Sequence, residues 1–276
     1  MARSLVLITG ASSGIGRALA LEGAKRGYDL LLIARRTELL ESLKIEVAKA
    51  SAEAKVILLP ADVTDENFEA KVLAVLPKDQ RLEIAFANAG VGVAGKFEKL
   101  KIKDFTRVFD VNVMGVIRTA HAVLPTMLAN GGHFAIVGSL SGHIANPLGA
   151  PYNASKFAVR GLSETLRAEY AHRGITVSLI SPGPVETEIF KKNNKGEIVE
   201  NPLPTWRRMS ARTAARRMFD GVLKGKREFS VHWQMTAALL FSRTFPGLTS
   251  WIMKKVYAKY ETKFLEILGK VNPDAV

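Results

Sequence analysis

Leu5-Val6-Leu7-Ile8-Thr9-Gly10-Ala11-Ser12-Ser13-Gly14-Ile15-Gly16 decides the fold of this chain. Leu5–Thr9 is a continuous run, as expected for a strand covered on both faces. Glycines then let the backbone turn tightly and approach another group closely. Gly14–Arg26 reads as a helix, whose N-terminus offers unpaired N–H groups and a favourable dipole to an anion. The spacing is G-x-x-x-G-x-G, not the more familiar G-x-G-x-x-G. An ordinary glycine-rich turn is the plain alternative. The strand–turn–helix context favours a pyrophosphate cradle instead.

The same alternation continues downstream. Leu30–Ala34, Val56–Pro60, Ile84–Ala87, Gly132–Gly138 and Thr176–Ser181 read as strands. Helical stretches at Glu38–Ala50, Glu66–Leu76, Lys101–Met127 (in two pieces) and Tyr152–Arg173 separate them. Such a chain predicts an α/β fold: a three-layer, doubly wound parallel sheet. Ligands then bind at the carboxyl ends of the strands. Thr9-Gly10, Ala34-Arg35, Asp62-Val63, Asn88-Ala89-Gly90, Ser139 and Ser181-Pro182-Gly183 all fall there.

Composition sets the bounds. At 276 residues and 47% hydrophobic content, one large domain with a sizeable core is expected. With no cysteine there is no disulfide or thiolate chemistry. That is compatible with a cytoplasmic location, which is the expectation. The four apolar residues Leu5–Ile8 are too few for a signal peptide or a membrane span. Residues 201–276 hold 14 of the 39 basic and 5 of the 26 acidic residues, and so carry +9 of the net +13. A basic tail invites an anionic membrane or nucleic acid. No nucleic-acid-binding pattern accompanies it, so nucleic acid is not expected. No linker divides the chain. Residues 1–200 are expected to form the core and 201–276 a helical extension of the same domain.

Ala34-Arg35-Arg36 follows the second strand, with no carboxylate before Glu38. An acidic residue there would bind ribose hydroxyls, whereas arginine accommodates a 2′-phosphate. Arg35 and Arg36 therefore predict NADP(H). Solvated arginines at a helix start are the alternative.

Tyr152-Asn153-Ala154-Ser155-Lys156 places a lysine on the helix face of a tyrosine. A tyrosine hydroxyl is a poor acid–base near neutral pH, with a pKa of about 10. A nearby ammonium favours the phenolate. The pair means little without the glycine turn upstream. Ser139, in Gly138-Ser139-Leu140-Ser141-Gly142, could steady a reacting oxygen; Ser141 is its rival. His143 lies near enough to touch a substrate, while His133 reads as structural and Glu186 and Glu188 as solvated. No metal is expected.

Taken together, these residues resemble the short-chain dehydrogenase/reductase family, over roughly Leu5 to Thr187. The resemblance rests on the Thr9–Gly16 turn, Asp62, Asn88-Ala89-Gly90, Asn112, Ser139, Tyr152-x-x-x-Lys156 and Pro182-Gly183. It implies a Rossmann-like fold and hydride transfer between a nicotinamide and a carbonyl or alcohol. By the same resemblance Tyr152 is the general acid, Lys156 lowers its pKa and bonds the nicotinamide ribose, Tyr152 and Lys156 both belong to the cofactor site as well, and Ser139 hydrogen-bonds the substrate oxygen. Asn112 holds a water joining Lys156 to a proton relay. Gly10, Ser12, Ser13, Gly14, Ile15 and Gly16 carry the pyrophosphate side. Asp62 and Val63 flank the adenine, and Asn88, Ala89 and Gly90 line the cleft. Pro182, Gly183, Val185 and Thr187 border the nicotinamide. A homodimer or homotetramer is implied as well. A cofactor-binding scaffold without turnover is the competing class, though it would not need the proton-transfer residues.

The tail bears on the substrate. Lys191–Gly196 reads as a lid or surface loop, and Thr205–Leu223 as a helix. Trp233–Met253 is apolar and aromatic, broken by Arg243, Pro246 and Gly247, with Lys254, Lys255, Lys259 and Lys263 following. It suits an interfacial anchor on a membrane, a wall around a lipid-like substrate, a subunit interface, or plain packing helices. Gly95-Lys96-Phe97-Glu98 and Ser155–Gly161 also resemble the 3-ketosphinganine reductase branch, which acts on a long-chain ketone. An apolar carbonyl or alcohol is thus the expected substrate.

Overall fold

The computed structural model describes residues 3–186 and 208–271. Seven parallel strands form one sheet in the order β3-β2-β1-β4-β5-β6-β7. They are β1 (Leu5–Thr9), β2 (Asp29–Ala34), β3 (Val56–Pro60), β4 (Leu82–Ala87), β5 (Gly132–Val137), β6 (Ile175–Ile180) and β7 (Glu228–Phe229). The order reverses between β1 and β4, which opens a crevice at their carboxyl ends.

Alternation within β1 shows how the layers form. Leu5 and Leu7 point to one face, joining α3 (Phe68–Val75), α5 (Gly115–Asn130) and α6 (Ala150–Tyr170). Val6 and Ile8 point to the other, joining α1 (Gly14–Lys25), α2 (Thr37–Ala50) and α7 (Ala211–Leu223). Both faces are buried, so the strand reads as an unbroken apolar run rather than an alternating one. Phe219 anchors the second layer: it packs edge-on against Phe86 at 5.1 Å and carries the Arg26 guanidinium 5.2 Å from its ring centroid.

The predicted two-piece helix is continuous. α4 (Ile102–Phe109) passes through a π-turn, Asp110–Met114, into α5. The stretch Ile102–Asn130 is long and apolar enough to cross a membrane, yet half of its most apolar window is buried in this fold. Its apolarity thus serves the core.

Two expectations in the tail are corrected. Of the helix predicted over Thr205–Leu223, residues 205–207 lie outside the described residues, 208–210 are not helical, and α7 begins at Ala211, where the Ser210 hydroxyl accepts from the Thr213 N–H and caps it. β7 was not expected at all. The apolar region after it forms two helices, α8 (Trp233–Thr244) and α9 (Pro246–Val271), so the molecule is a single Rossmann-like domain with C-terminal helices. Thr187, Glu188, the proposed lid at 191–196 and the Lys263 side chain lie outside the described residues.

Candidate active site

The glycine turn is built for close approach. Gly10 (φ +66°) and Gly14 (φ +55°) take left-handed conformations that favour glycine. A Cβ on Gly16 would lie 2.2 Å from the Gly10 carbonyl oxygen, so only glycine fits there. The Ala11 N–H bonds the Ile33 carbonyl at 3.1 Å, and Ser12, Ser13 and Ile15 complete the rim of the cradle. The neighbouring strand end is locked to it. Thr9 Oγ1 accepts from the Asn88 and Ala89 N–H groups, and Asn88 Nδ2 donates to the Thr9 carbonyl at 2.9 Å. Asn88 therefore braces the turn with its side chain.

Arg36 reaches back over this turn. Its Nη2 donates to Ser13 Oγ at 3.1 Å and Ser12 Oγ at 3.3 Å. Arg35 reaches Asp62 Oδ2 at 3.5 Å from a largely exposed position. Val63 is buried beside them, its carbonyl accepting from Arg118 Nη1 at 3.1 Å. The glycine turn, both arginines, Asp62 and Val63 thus share one end of the crevice.

At the other end stand Ser139, Tyr152 and Lys156. Ser139 follows β5 and caps a single 3-10 turn, its Oγ accepting from the Ser141 N–H at 3.1 Å. Gly142 lets this turn lie against α6: a Cβ there would be 2.7 Å from the Lys156 carbonyl oxygen. Ser139 hydrogen-bonds the Tyr152 hydroxyl, while Ser141 Oγ accepts from Asn146 Nδ2 at 2.9 Å. The two serines are thus told apart by partner, and Ser139 is the one facing the tyrosine.

Lys156 is buried and donates through Nζ to the Val137 carbonyl at 2.9 Å. Nζ lies 5.6 Å from the Tyr152 ring centroid. Burial pushes its pKa down to about 8. Tyr152 moves the other way: burial raises its pKa, opposed by the Ser139 hydrogen bond. The expectation is that Lys156 lowers the pKa of the phenol; here burial raises it and Ser139 is the opposing influence. The ammonium is turned to a backbone carbonyl, and burial dominates the tyrosine.

Asn112 is fully buried in the π-turn. Nδ2 donates to the Val91 carbonyl and to Ser155 Oγ, each at 3.0 Å, and Oδ1 accepts from the Val91 N–H at 2.8 Å. Both amide donors are thus engaged, so a relay water here would have to donate to an oxygen of this residue. The side chain ties the segment after β4 to α6. Gly90 follows from this: a Cβ there would lie 3.3 Å from Asn112 Oδ1 and 3.8 Å from Lys156 Nζ.

Pro182, Gly183 and Val185 follow β6 at the same end. A Cβ on Gly183 would lie 2.9 Å from Met235 Cγ, so α8 presses directly on this loop. His143 does not face the cleft. Its buried ring puts Nε2 3.1 Å from Ser181 Oγ and 2.9 Å from Glu228 Oε1, while Arg243 Nη2 holds Glu228 Oε2 at 2.6 Å. Burial works to raise the Glu228 pKa, but His143 and Arg243 outweigh it and hold it at about 2. This brace between the serine loop, β7 and α8 was not legible in sequence, because its members lie far apart along the chain.

With this geometry in place, comparison with known proteins is informative. The short chain dehydrogenase family model matches residues 4–198. The chain belongs to the short-chain dehydrogenase/reductase family. A Drosophila melanogaster dehydrogenase/reductase SDR family protein 7-like is 32% identical over 271 residues, covering 93% of this chain and 81% of that one. An uncharacterized oxidoreductase of Listeria monocytogenes is 36% identical over 191 residues, covering 68% and 76%. Among solved structures, a Burkholderia phymatum short-chain dehydrogenase/reductase in complex with NAD superposes with a TM-score of 0.78 at 27% identity, covering 89% of this chain and 95% of that one. A Sphingobium yanoikuyae short-chain dehydrogenase in complex with NADPH superposes at 0.77 with 30% identity, covering 90% and 95%. This short-chain dehydrogenase/reductase thus has relatives with either nicotinamide cofactor.

Proposed function

We propose that the protein is an NADP(H)-dependent oxidoreductase that interconverts a carbonyl and an alcohol, with reduction the favoured direction, on an apolar substrate. The observation that carries this reading is the Ser139–Tyr152 hydroxyl pair with the buried Lys156 ammonium beside it, set across the crevice from the glycine turn. The residues fit the cofactor. Gly10 and Gly16 pack too closely against neighbouring backbone to carry a Cβ, which gives the turn the tight form a pyrophosphate cradle needs, and Arg36 stands over the same turn where a 2′-phosphate would meet a guanidinium.

When bound, NADPH supplies the hydride that goes to the carbonyl carbon. The protein orients the carbonyl and manages the proton. Tyr152 gives its hydroxyl proton to the carbonyl oxygen as negative charge builds there. Ser139 donates a second hydrogen bond to that oxygen. Lys156 keeps a positive charge beside the phenol and holds the ribose next to it. Asn112 positions α6 through Ser155, whose Oγ donates to the Tyr152 carbonyl at 2.8 Å.

An apolar substrate is supported by a cavity of about 470 Å³ between the loop that follows Ser139 and the helices α8 and α9. Ile144 from the serine loop, Ala237, Ala238 and Phe241 from α8, and Ile252 and Met253 from α9 line it. Its walls carry no charge, so it suits an alkyl chain such as that of a long-chain ketone. We also infer a homodimer or homotetramer, consistent with Met114 and Phe157 being exposed near the start of α5 and on α6.

A panel of ketones from small polar to long-chain, assayed with NADPH and NADH, tests the reading. Turnover should favour NADPH and long chains. Preference for NADH would sink the cofactor assignment, and reduction of small polar ketones alone would sink the substrate class.

A further inference from the structure

We infer that α8 and α9 form a peripheral docking surface for an anionic lipid bilayer. This inference does not depend on the hydride-transfer reading. Exposed large apolar side chains concentrate on these helices: Trp233 is 75% exposed, Leu240 61%, Phe245 52%, Leu248 46% and Trp251 57%. Exposed apolar clusters of this kind mark an interaction surface.

Charge identifies the partner. From Phe229 through Tyr260 there is no aspartate or glutamate, while Arg243, Lys254, Lys255 and Lys259 all fall within that span. Arg243 is engaged by Glu228. On α9, Leu248, Trp251, Lys255 and Lys259 are spaced three to four residues apart and therefore share a face. Lys255 Nζ lies 5.8 Å from the Trp251 ring centroid. Indole rings favour the boundary between acyl chains and headgroups, and lysines beside them meet anionic headgroups while their stems cover apolar surface. A second copy of the chain is a poorer partner. A symmetric contact centred on Trp251 and Lys255 would bring the cluster Lys254, Lys255 and Lys259 near its own copy, with the carboxylates of α9, Glu261 and Glu266, confined to its C-terminal part.

The placement also fits a surface-bound protein. α8 presses on Gly183 at the ligand end of the sheet, and Phe241 and Ile252 both line the apolar cavity and remain partly exposed. The contact is peripheral: among the described residues the one helical stretch apolar enough to span, Ile102–Asn130, is half buried in the fold.

Sedimentation of the full chain with phosphatidylcholine vesicles, with and without phosphatidylglycerol, tests this. The protein should pellet with the anionic vesicles, release with added salt, and show a blue-shifted tryptophan emission when bound. Leu248→Glu with Trp251→Glu should weaken binding by roughly tenfold or more, and Lys255→Glu with Lys259→Glu should do so without altering the apolar face. NADPH binding by each variant serves as the folding control. Equal binding to neutral and anionic vesicles, or none to either, would overturn the inference. So would concentration-dependent self-association that the same variants abolish while vesicle binding stays absent, since that assigns the face to a second copy.

Discussion

The Lys156 ammonium donates to the Val137 carbonyl at 2.9 Å and stands 5.6 Å from the centroid of the Tyr152 ring. One buried cation thus braces β5 and charges the surroundings of the proposed acid. Its pKa of about 8 lies below that of an unfolded lysine. The unfolded chain therefore holds this proton over a range where the folded one has lost it. Stability from this group rises as pH climbs from about 8 towards the unfolded value. Activity should run the opposite way. kcat/KM for NADPH should fall above about pH 8 as the ammonium deprotonates, and Lys156→Arg should move that limb upward if the variant folds. A profile flat to pH 10 would contradict the proposed role.

Tyr152→Phe deletes the proton donor and leaves the ring in place. Turnover should drop by about a thousandfold, within the range of general acid catalysis. NADPH affinity, read by fluorescence, should change less than about threefold, because ribose contact is assigned to Lys156. Near-normal turnover would remove Tyr152 from the mechanism.

Arg36→Ala removes the guanidinium above Ser12 and Ser13. The Kd for NADPH should rise by roughly 10- to 100-fold, the worth of charge-assisted hydrogen bonds. The Kd for NADH should hardly move. Parallel losses for both cofactors would mean that Arg36 supports the turn and does not read the phosphate.

Glu228→Gln breaks the brace that links His143 and Arg243. Thermal unfolding should show a loss of about 1–3 kcal/mol near neutral pH. The Glu228 pKa, held at about 2, lies below its unfolded value. Its contribution is therefore present above the unfolded pKa near 4.3 and is lost as pH falls towards 2. The gap between wild type and variant should close over that window. KM for the carbonyl should rise more than the Kd for NADPH, since the brace holds α8 rather than the glycine turn.

Phe219→Ala should cost about 3–5 kcal/mol, because its ring is fully buried against Phe86 and below Arg26. Chemical denaturation measures it directly.

Much of this architecture is legible in sequence for a physical reason. β1 and β3 are bounded to the residue by their sequence, because both the fully buried β1 and the half-buried edge strand β3 are short apolar runs punctuated by turns. The glycine turn and the Ser139–Tyr152–Lys156 set are local patterns, and local patterns survive in a linear string. β7 escaped because two residues have no period. The π-turn around Asn112 escaped because it inserts without a break in helical character. The lysine's preference for Val137, and the inward turn of His143 towards Glu228, depend on which elements the sheet brings together. No spacing rule encodes them.

The glycine at 142 sets a limit on redesign. Because its backbone lies against the Lys156 carbonyl, the serine turn and the tyrosine helix form one rigid unit. A designer cannot widen the gap between the two hydroxyls by small edits to that turn without dislodging both. On the proposed reading, room for a new substrate would be made in the apolar cavity, at Ala237, Ala238, Phe241 and Ile252, whose side chains are not part of the serine turn or the tyrosine helix.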